Sequence, residues 1–210
     1  MPQPIAVIDF ETTGMTPAQG SRATEVAIVL IEGERVLGRF QSLMRTGVWI
    51  PPFITQLTGI TNAMTAAAPP AEEVMREAAQ FVGDAPLVAH NAAFDSKFWQ
   101  SELQYAGLAA PHPCACTVLL SRRIYPRAPS HKLGNLIAHL GLPKTGRAHR
   151  ALADAEMAAA LLARLQRDLS QRYHLPWPGH RLLMELQRCP RQALPRFLQQ
   201  AVQRSLSDSC

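Results

Sequence analysis

Apolar residues run from 5 to 10 with Asp9 as the single interruption, and so short a run without polar alternation reads as a strand buried on both faces. Thr12, Thr13 and Gly14 end it. Positions 24–31 are apolar and β-branched, Glu32, Gly33 and Glu34 make a turn, and 36–43 return as the partner strand. The chain therefore opens with an antiparallel meander.

The period then changes. Positions 51–62 begin on two prolines and contain Gly59, which predicts a short helix and a loop. Pro70 opens a helix with Glu72 and Glu73 in its first turn and Gly83 just past its end, where the helix dipole and a left-handed stop favour those residues. A second buried strand covers 86–90. It leads into a helix over 91–105 that Gly107 stops, with Phe94, Phe98 and Leu103 facing inward. Positions 115–125 pass from strand to helix. Ser130 is expected to cap a helix carrying Leu133, Leu136, Ile137 and Leu140 up to Gly141, and 150–166, rich in Ala and Leu, is the clearest helix.

Strands first, then helices alternating with strands, predict an α/β fold: a mixed sheet flanked by helices. After Leu169 the segment around Pro176, Trp177, Pro178 and Gly179 reads as a linker. One or two short helices are expected to follow, over 181–186 and 194–202. Leu194, Phe197, Leu198 and Ala201 fall at helical spacing, so that stripe needs cover, from the core by default or from a partner or second copy. The division expected is a domain over 1–169 and a helical, basic extension over 170–210.

A length of 210 residues supports one buried core plus a small appendage. With 47% hydrophobic and 18% charged residues the composition is that of a globular chain and excludes a disordered one. No window approaches the ~20 apolar residues of a membrane span, and the first residues lack a basic segment followed by an apolar one, so the expected location is cytoplasmic, away from membranes. Cys114 and Cys116 are one residue apart, Cys189 and Cys210 lie far downstream, and no C-x-x-C pair occurs. Reduced thiols, the first two partly buried, are expected.

The net charge of +5 is unevenly placed. Positions 1–166 carry 14 Lys and Arg against 13 Asp and Glu, while 167–210 carry 7 against 3. Within the first part, Arg122, Arg123, Arg127, Lys132, Lys144, Arg147 and Arg150 occupy a stretch without an acid. Such a run suits a phosphate backbone and equally suits a solvated face.

The candidate chemistry lies in acids. Asp9 and Glu11 are two apart near the end of a buried strand, so both carboxylates point to one side. Two anions at the edge of an apolar core are costly unless a cation lies between them, and an oxygen-ligated divalent ion is the natural one. Asp95 follows a second short strand, at the carboxyl end where α/β sheets place ligands. His149 and Asp154 flank the start of the Ala-rich helix. Taken singly, each has a plain reading: a solvated turn, a first-turn helix acid, a surface histidine.

Together, Val7-Ile8-Asp9-Phe10-Glu11-Thr12-Thr13-Gly14, then His90-Asn91-Ala92-Ala93-Phe94-Asp95, then His149 with Asp154 five positions on, resemble the DnaQ-like, or DEDDh, family of 3′-to-5′ exonucleases. The match spans about positions 5–165. It implies a ribonuclease H-like fold with a five-stranded mixed sheet and hydrolysis of terminal phosphodiester bonds to nucleoside 5′-monophosphates. It also implies that Asp9, Glu11, Asp95 and Asp154 hold two divalent ions, Mg²⁺ with Mn²⁺ able to substitute, and that His149 is the general base. By the same resemblance Thr12, Thr13, Leu57 and Ile60 meet the terminal nucleotide, and His90 and Asn91 position Asp95 or the scissile phosphate. Leu57 and Ile60 suit a core equally well, and Thr12, Thr13, His90 and Asn91 suit turns. Arg122, Arg123 and Arg127 are the expected contacts to the incoming strand. The implied partner is nucleic acid with a 3′ end, single-stranded DNA favoured over RNA, with a polymerase or second copy as further candidates for the extension. Rival readings are an endonuclease, a non-catalytic binding subunit, a short-oligonucleotide hydrolase, an RNA-trimming enzyme and a polymerase-associated proofreading subunit.

Overall fold

The computed structural model describes residues 3–146 and 149–207; Arg147 of the basic stretch and Cys210 lie outside the described residues. Five strands form one sheet, β1 (Ile5–Thr12), β2 (Ala23–Glu32), β3 (Arg35–Leu43), β4 (Leu87–Ala89) and β5 (Cys114–Cys116), in the order β3-β2-β1-β4-β5. β1, β2 and β3 pair antiparallel, whereas β4 runs parallel to both β1 and β5. The long apolar run is the central strand because helices cover both of its faces.

Parity along β1 sorts the core into two layers. Ala6, Ile8 and Phe10 join Ile28, Met75, Phe98 and Trp99 beneath α3 (Ala71–Val82) and α4 (Ala92–Tyr105). Ile5 and Val7 join Ala27, Val29, Leu161 and Leu165 beneath α7 (Ala151–Tyr173). Asp9 and Glu11 continue the Ile5 and Val7 parity, and Glu25 continues that of Ala27 and Val29. All three are thereby aimed at the start of α7.

The connecting helices are α1 (Pro52–Thr58), α2 (Asn62–Ala66), α5 (Thr117–Ile124) and α6 (Leu133–His139). Pro70 and Gly83 bound α3 as expected, with Gly83 at φ 55°. Ser130 does not cap α6. Lys132 occupies that position, and the Ser130 hydroxyl instead accepts the Lys132 N–H at 3.2 Å, making a turn before the helix.

α7 outruns its expected end at 166 and continues to Tyr173. Buried Asp168 explains the extra turns: its carboxylate accepts from Tyr125 at 2.9 Å, from Arg164 at 2.9 Å and from Arg172 at 3.0 Å, and both arginines are one helical turn away. α8 (His180–Leu186) and α9 (Leu194–Ser207) then fold back on the same layer, where Leu183, Leu186, Leu198 and Ala201 are buried. The stripe seen in the sequence is covered by the chain's own core. Cys114, Cys116 and Cys189 are free thiols, Cys114 partly and the other two fully buried. No helix among the described residues is long and apolar enough to cross a membrane.

Candidate active site

Asp9, Glu11, Asp95, His149 and Asp154 line one cavity of about 270 Å³, together with Thr12, Leu57 and Phe94. Asp9 and Glu11 come from β1, Asp95 from the first turn of α4, and Asp154 from the first turn of α7. The acids, scattered over 146 positions of sequence, thus converge, because parallel β4 ends beside the middle of β1, just before Asp9, and α7 packs on the face that the odd positions of β1 present. Asp95 is tied in by the backbone N–H of Phe10, which donates to its carboxylate at 3.2 Å. One ligand atom each from Glu11, Asp154 and His149 lies within 4.8 Å of the other two.

Burial raises every one of these carboxylates, and repulsion from neighbouring acids adds to it at Asp9 and Glu11. Asp9 is held well above the ordinary range by burial first and then by Asp95, Asp154, Glu11 and Glu25. Glu11 is pushed up to about 8 by burial, with Asp154, Glu25 and Asp95 adding to the shift and Arg150 opposing it. Burial also takes Asp95 to about 8 and raises Asp154, although backbone N–H groups of Phe10 and His149 hold both partly back. Among the described residues, no hydrogen-bond donor or ion-pair partner reaches the side-chain carboxylate of Asp9 or Glu11. Four carboxylates on one cavity, with Glu11 and Asp154 close enough to share an ion, are a donor set that suits a hard divalent ion.

Strain marks both helix starts. Asn91, the residue before α4, sits at φ 74°, and His149, before α7, at φ 61°, left-handed conformations that side chains with a Cβ avoid unless the surroundings impose them. The exposed His149 donates its backbone N–H to the Asp154 carboxylate at 2.9 Å, which holds the residue beside the acids.

The family model for RNase_T exonucleases matches residues 6–162. DNA polymerase III subunit epsilon of Aquifex aeolicus (strain VF5) is 36% identical over 168 residues, which cover 80% of this chain and 82% of that protein. The chain belongs to the DnaQ-like exonuclease family. The 3′-5′ exonuclease DinG of Bacillus subtilis (strain 168) is 38% identical over 186 residues, covering 88% of this chain; the chain spans 19% of DinG's length. Exonuclease X, solved in complex with 5′ overhanging duplex DNA, superposes with a TM-score of 0.68 at 25% identity, covering 87% of this chain and 99% of that one. The nuclease domain of 3′hExo shares the fold, with a TM-score of 0.67 and 24% identity over 79% of this chain and 92% of that one. The sheet and its helices are accordingly ribonuclease H-like.

Within this exonuclease fold the expected substrate residues fall into distinct places. Leu57 projects into the acid cavity, but Ile60 is fully buried: α1 stops at Thr58, Gly59 turns left-handed at φ 78°, and the chain then points Ile60 into the interior. Ile60 is a core residue. The Thr12 hydroxyl donates to the Gly14 carbonyl at 2.7 Å while its residue lines the cavity. That of Thr13 accepts the Arg22 N–H at 3.0 Å and closes the turn. His90 has both ring nitrogens engaged, Nδ1 with the Thr117 hydroxyl at 2.8 Å and Nε2 with the His131 carbonyl at 3.1 Å, and burial lowers its pKa to about 4. It is a neutral strut between β4 and the loop before α6.

The basic stretch also divides. A cleft of about 1110 Å³ opens from Asp9, His149 and Asp154 and is lined by Asn91, Arg122, Lys132 and Lys144. Arg123 is turned away from it, donating to the carbonyls of Cys189 and Leu119 at 2.8 Å each, so its guanidinium holds the C-terminal segment rather than facing the cleft. Arg127 is exposed and off the cleft, and Arg150 is held by Glu25. Two cavity residues went unnoticed in the sequence, Met15 and Phe53, which are 77% and 65% exposed yet line the acid cavity with Leu57. The i, i+4 spacing of Phe53 and Leu57 was the available signal.

Proposed function

We propose that this domain is a 3′-to-5′ exonuclease that hydrolyses the terminal phosphodiester bond of DNA and releases nucleoside 5′-monophosphates. The observation that carries the reading is the meeting of Asp9, Glu11, Asp95, Asp154 and His149 at one cavity, in a chain whose relatives include a 3′-5′ exonuclease and a polymerase III epsilon subunit.

Asp9, Glu11, Asp95 and Asp154 would hold two Mg²⁺ ions, or Mn²⁺ in their place, since four clustered carboxylates without a cationic partner suit hard ions. Bound there, such ions supply charge neutralisation of the phosphoryl oxygens and a more acidic water. His149, exposed at the cavity, takes the proton of the attacking water. The side chains of Leu57, Phe53 and Met15 lie against the terminal base, and Thr12 approaches its sugar. Arg122, Lys132 and Lys144 meet the phosphates of the strand that follows, where the acids alone would repel them.

Residues 1–169 are read as the nuclease unit and the extension 170–210, through its described residues up to Ser207, as a cover for one sheet edge. The inward stripe of α9 and the bonds from this segment to β4 and β5 favour that role over a polymerase or homodimer contact.

The test is a 5′-labelled single strand, DNA beside RNA, incubated with Mg²⁺ and with EDTA, next to Asp9→Ala. Stepwise shortening that needs the metal and Asp9 is expected. Internal cuts, or shortening that survives in EDTA, would refute the reading.

A further inference from the structure

We propose that Glu25 and Arg150 form a positioning pair that holds His149 in its working place. This rests on the exonuclease reading above and names two residues that reading does not use.

Glu25 lies directly opposite Glu11 in the β1 and β2 register, so a fifth acid stands beside the four at the cavity. It is 1% exposed, yet it is not another open ligand. Its Oε1 accepts from Gln41 Nε2 at 2.7 Å and from Arg150 Nη2 at 3.0 Å. Its Oε2 accepts from Arg150 Nε at 3.2 Å and from the Ala151 backbone N–H at 3.1 Å. Four donors occupy its two oxygens.

Those donors say what the carboxylate does. Ala151 is the first residue of α7, and Arg150 before it offers no side-chain cap of its own. Glu25 supplies that cap from a neighbouring strand and places a negative charge at the positive end of the helix dipole. The fork of Arg150 grips both oxygens, fixing the residue that follows His149 in two directions. On the other side, the Asp154 carboxylate takes the His149 N–H. His149, left-handed at φ 61° and outside the helix, is therefore strained between two anchors, each a carboxylate. The body of α7 is held separately by Ala155, Ala158, Leu161 and Leu162 in the core, and the Asp154 N–H donates to the Arg150 carbonyl at 3.1 Å; the side-chain grip of Arg150 bears on the segment just outside the helix, where His149 sits.

The test is a cycle in the Mg²⁺-loaded full chain: wild type, Arg150→Lys, His149→Ala and the double variant, with Glu25→Gln as a second way to weaken the grip. Lysine keeps the charge but cannot span both oxygens. Arg150→Lys is expected to lower kcat at least about tenfold with KM within about twofold, as small misplacement of a reacting group does. In the His149→Ala background the same change is expected to lower kcat less than about twofold further, because its target is gone. A purely structural role would lower the melting temperature and leave kcat of the folded enzyme intact, or multiply with His149→Ala; either result overturns the proposal. Wild-type kcat in both Arg150→Lys and Glu25→Gln overturns it as well. A wild-type chain without metal-dependent shortening of a labelled strand removes the exonuclease reading itself, a failure distinct from these.

Discussion

The Phe10 backbone N–H donates to the Asp95 carboxylate at 3.2 Å and joins residues 85 positions apart. Phe10 sits between Asp9 and Glu11, so the strand that carries two of the acids also orients a third. Asp95 is buried and raised to about 8, and its bond from Phe10 works against that shift. Asparagine at this position keeps an acceptor for Phe10 and discards the charge. Asp95→Asn is expected to lose more activity than the ~10- to 100-fold that outer partners of a metal site cost. Its melting temperature in EDTA at pH 8 should equal or exceed that of the wild type. A variant that melts well below wild type would show that the carboxylate serves packing.

The raised acids make the metal-free protein sensitive to alkali. A carboxyl whose folded value lies above its unfolded value binds protons more tightly when folded. Its stabilisation is full below the unfolded value near ~4 and is lost as pH rises through the folded one. With Glu11 and Asp95 both near 8, and Asp9 and Asp154 also raised, the melting temperature in EDTA should fall as pH climbs from 5 to 8.5. Mg²⁺ should flatten this slope, because a bound cation favours the ionised forms. Differential scanning fluorimetry at several pH values, with Mg²⁺ and with EDTA, reads both. Equal slopes in the two conditions would contradict a metal site built from these acids.

Local signals were legible in the chain, and long-range pairings were not. The buried run of β1, the two-residue step from Asp9 to Glu11, and the Pro70 and Gly83 boundaries of α3 follow from chemistry within a few residues, and all reappear in the fold. Glu25 escaped attention because its meaning depends on Arg150, 125 positions away. Arg123 looked like a phosphate ligand for the same reason, since its partner, the Cys189 carbonyl, lies 66 positions on. For Ile60 the two readings open in the sequence are separated by a single left-handed glycine, which turns the chain after Leu57 and sends the next apolar side chain inward.

The division of the basic stretch has a thermodynamic signature. Each phosphate neutralised on a single strand contributes about 0.7 to the slope of log affinity against log salt. Arg122→Gln, Lys132→Gln and Lys144→Gln, which remove cations lining the cleft, should each reduce that slope by roughly this amount. Arg127→Gln, off the cleft, should leave it unchanged. Fluorescence anisotropy of a labelled strand in EDTA across a salt series measures this without turnover. Equal effects at all four positions would mean that the charge acts through the general field rather than along a path.

Phe53 and Leu57 stand one helical turn apart at the mouth of the acid cavity, both exposed, Phe53 the more so. Stacking on a base is worth ~1–3 kcal/mol. Phe53→Ala should therefore raise KM by about 5- to 150-fold at near-constant melting temperature, since an exposed side chain adds little to the core. A fall in kcat alone, with KM unchanged, would place the residue elsewhere in the cycle.

The last prediction concerns the sheet edge. β5 is the outermost strand on its side, and a bare edge offers unpaired N–H and C=O groups to any other strand. Here Gln187 Oε1 accepts the Cys116 N–H of β5 at 2.6 Å, and one strand further in, buried His180 donates through Nε2 to the Leu87 carbonyl of β4 at 2.8 Å. Burial lowers the pKa of that imidazole, and the bond to the Leu87 carbonyl opposes the shift. Gln187→Ala leaves a buried donor unsatisfied at a cost of about 1–3 kcal/mol, which for a domain of this size means a melting temperature lower by roughly 2–10 °C. Because neither residue lines the acid cavity, kcat measured below the transition should be unchanged. Removing 175–210 takes away both partners along with Leu183, Leu186 and Leu198 of the core, so that chain should aggregate on expression. A soluble, active 1–174 fragment melting near the wild type would show that the C-terminal helices are free for another partner.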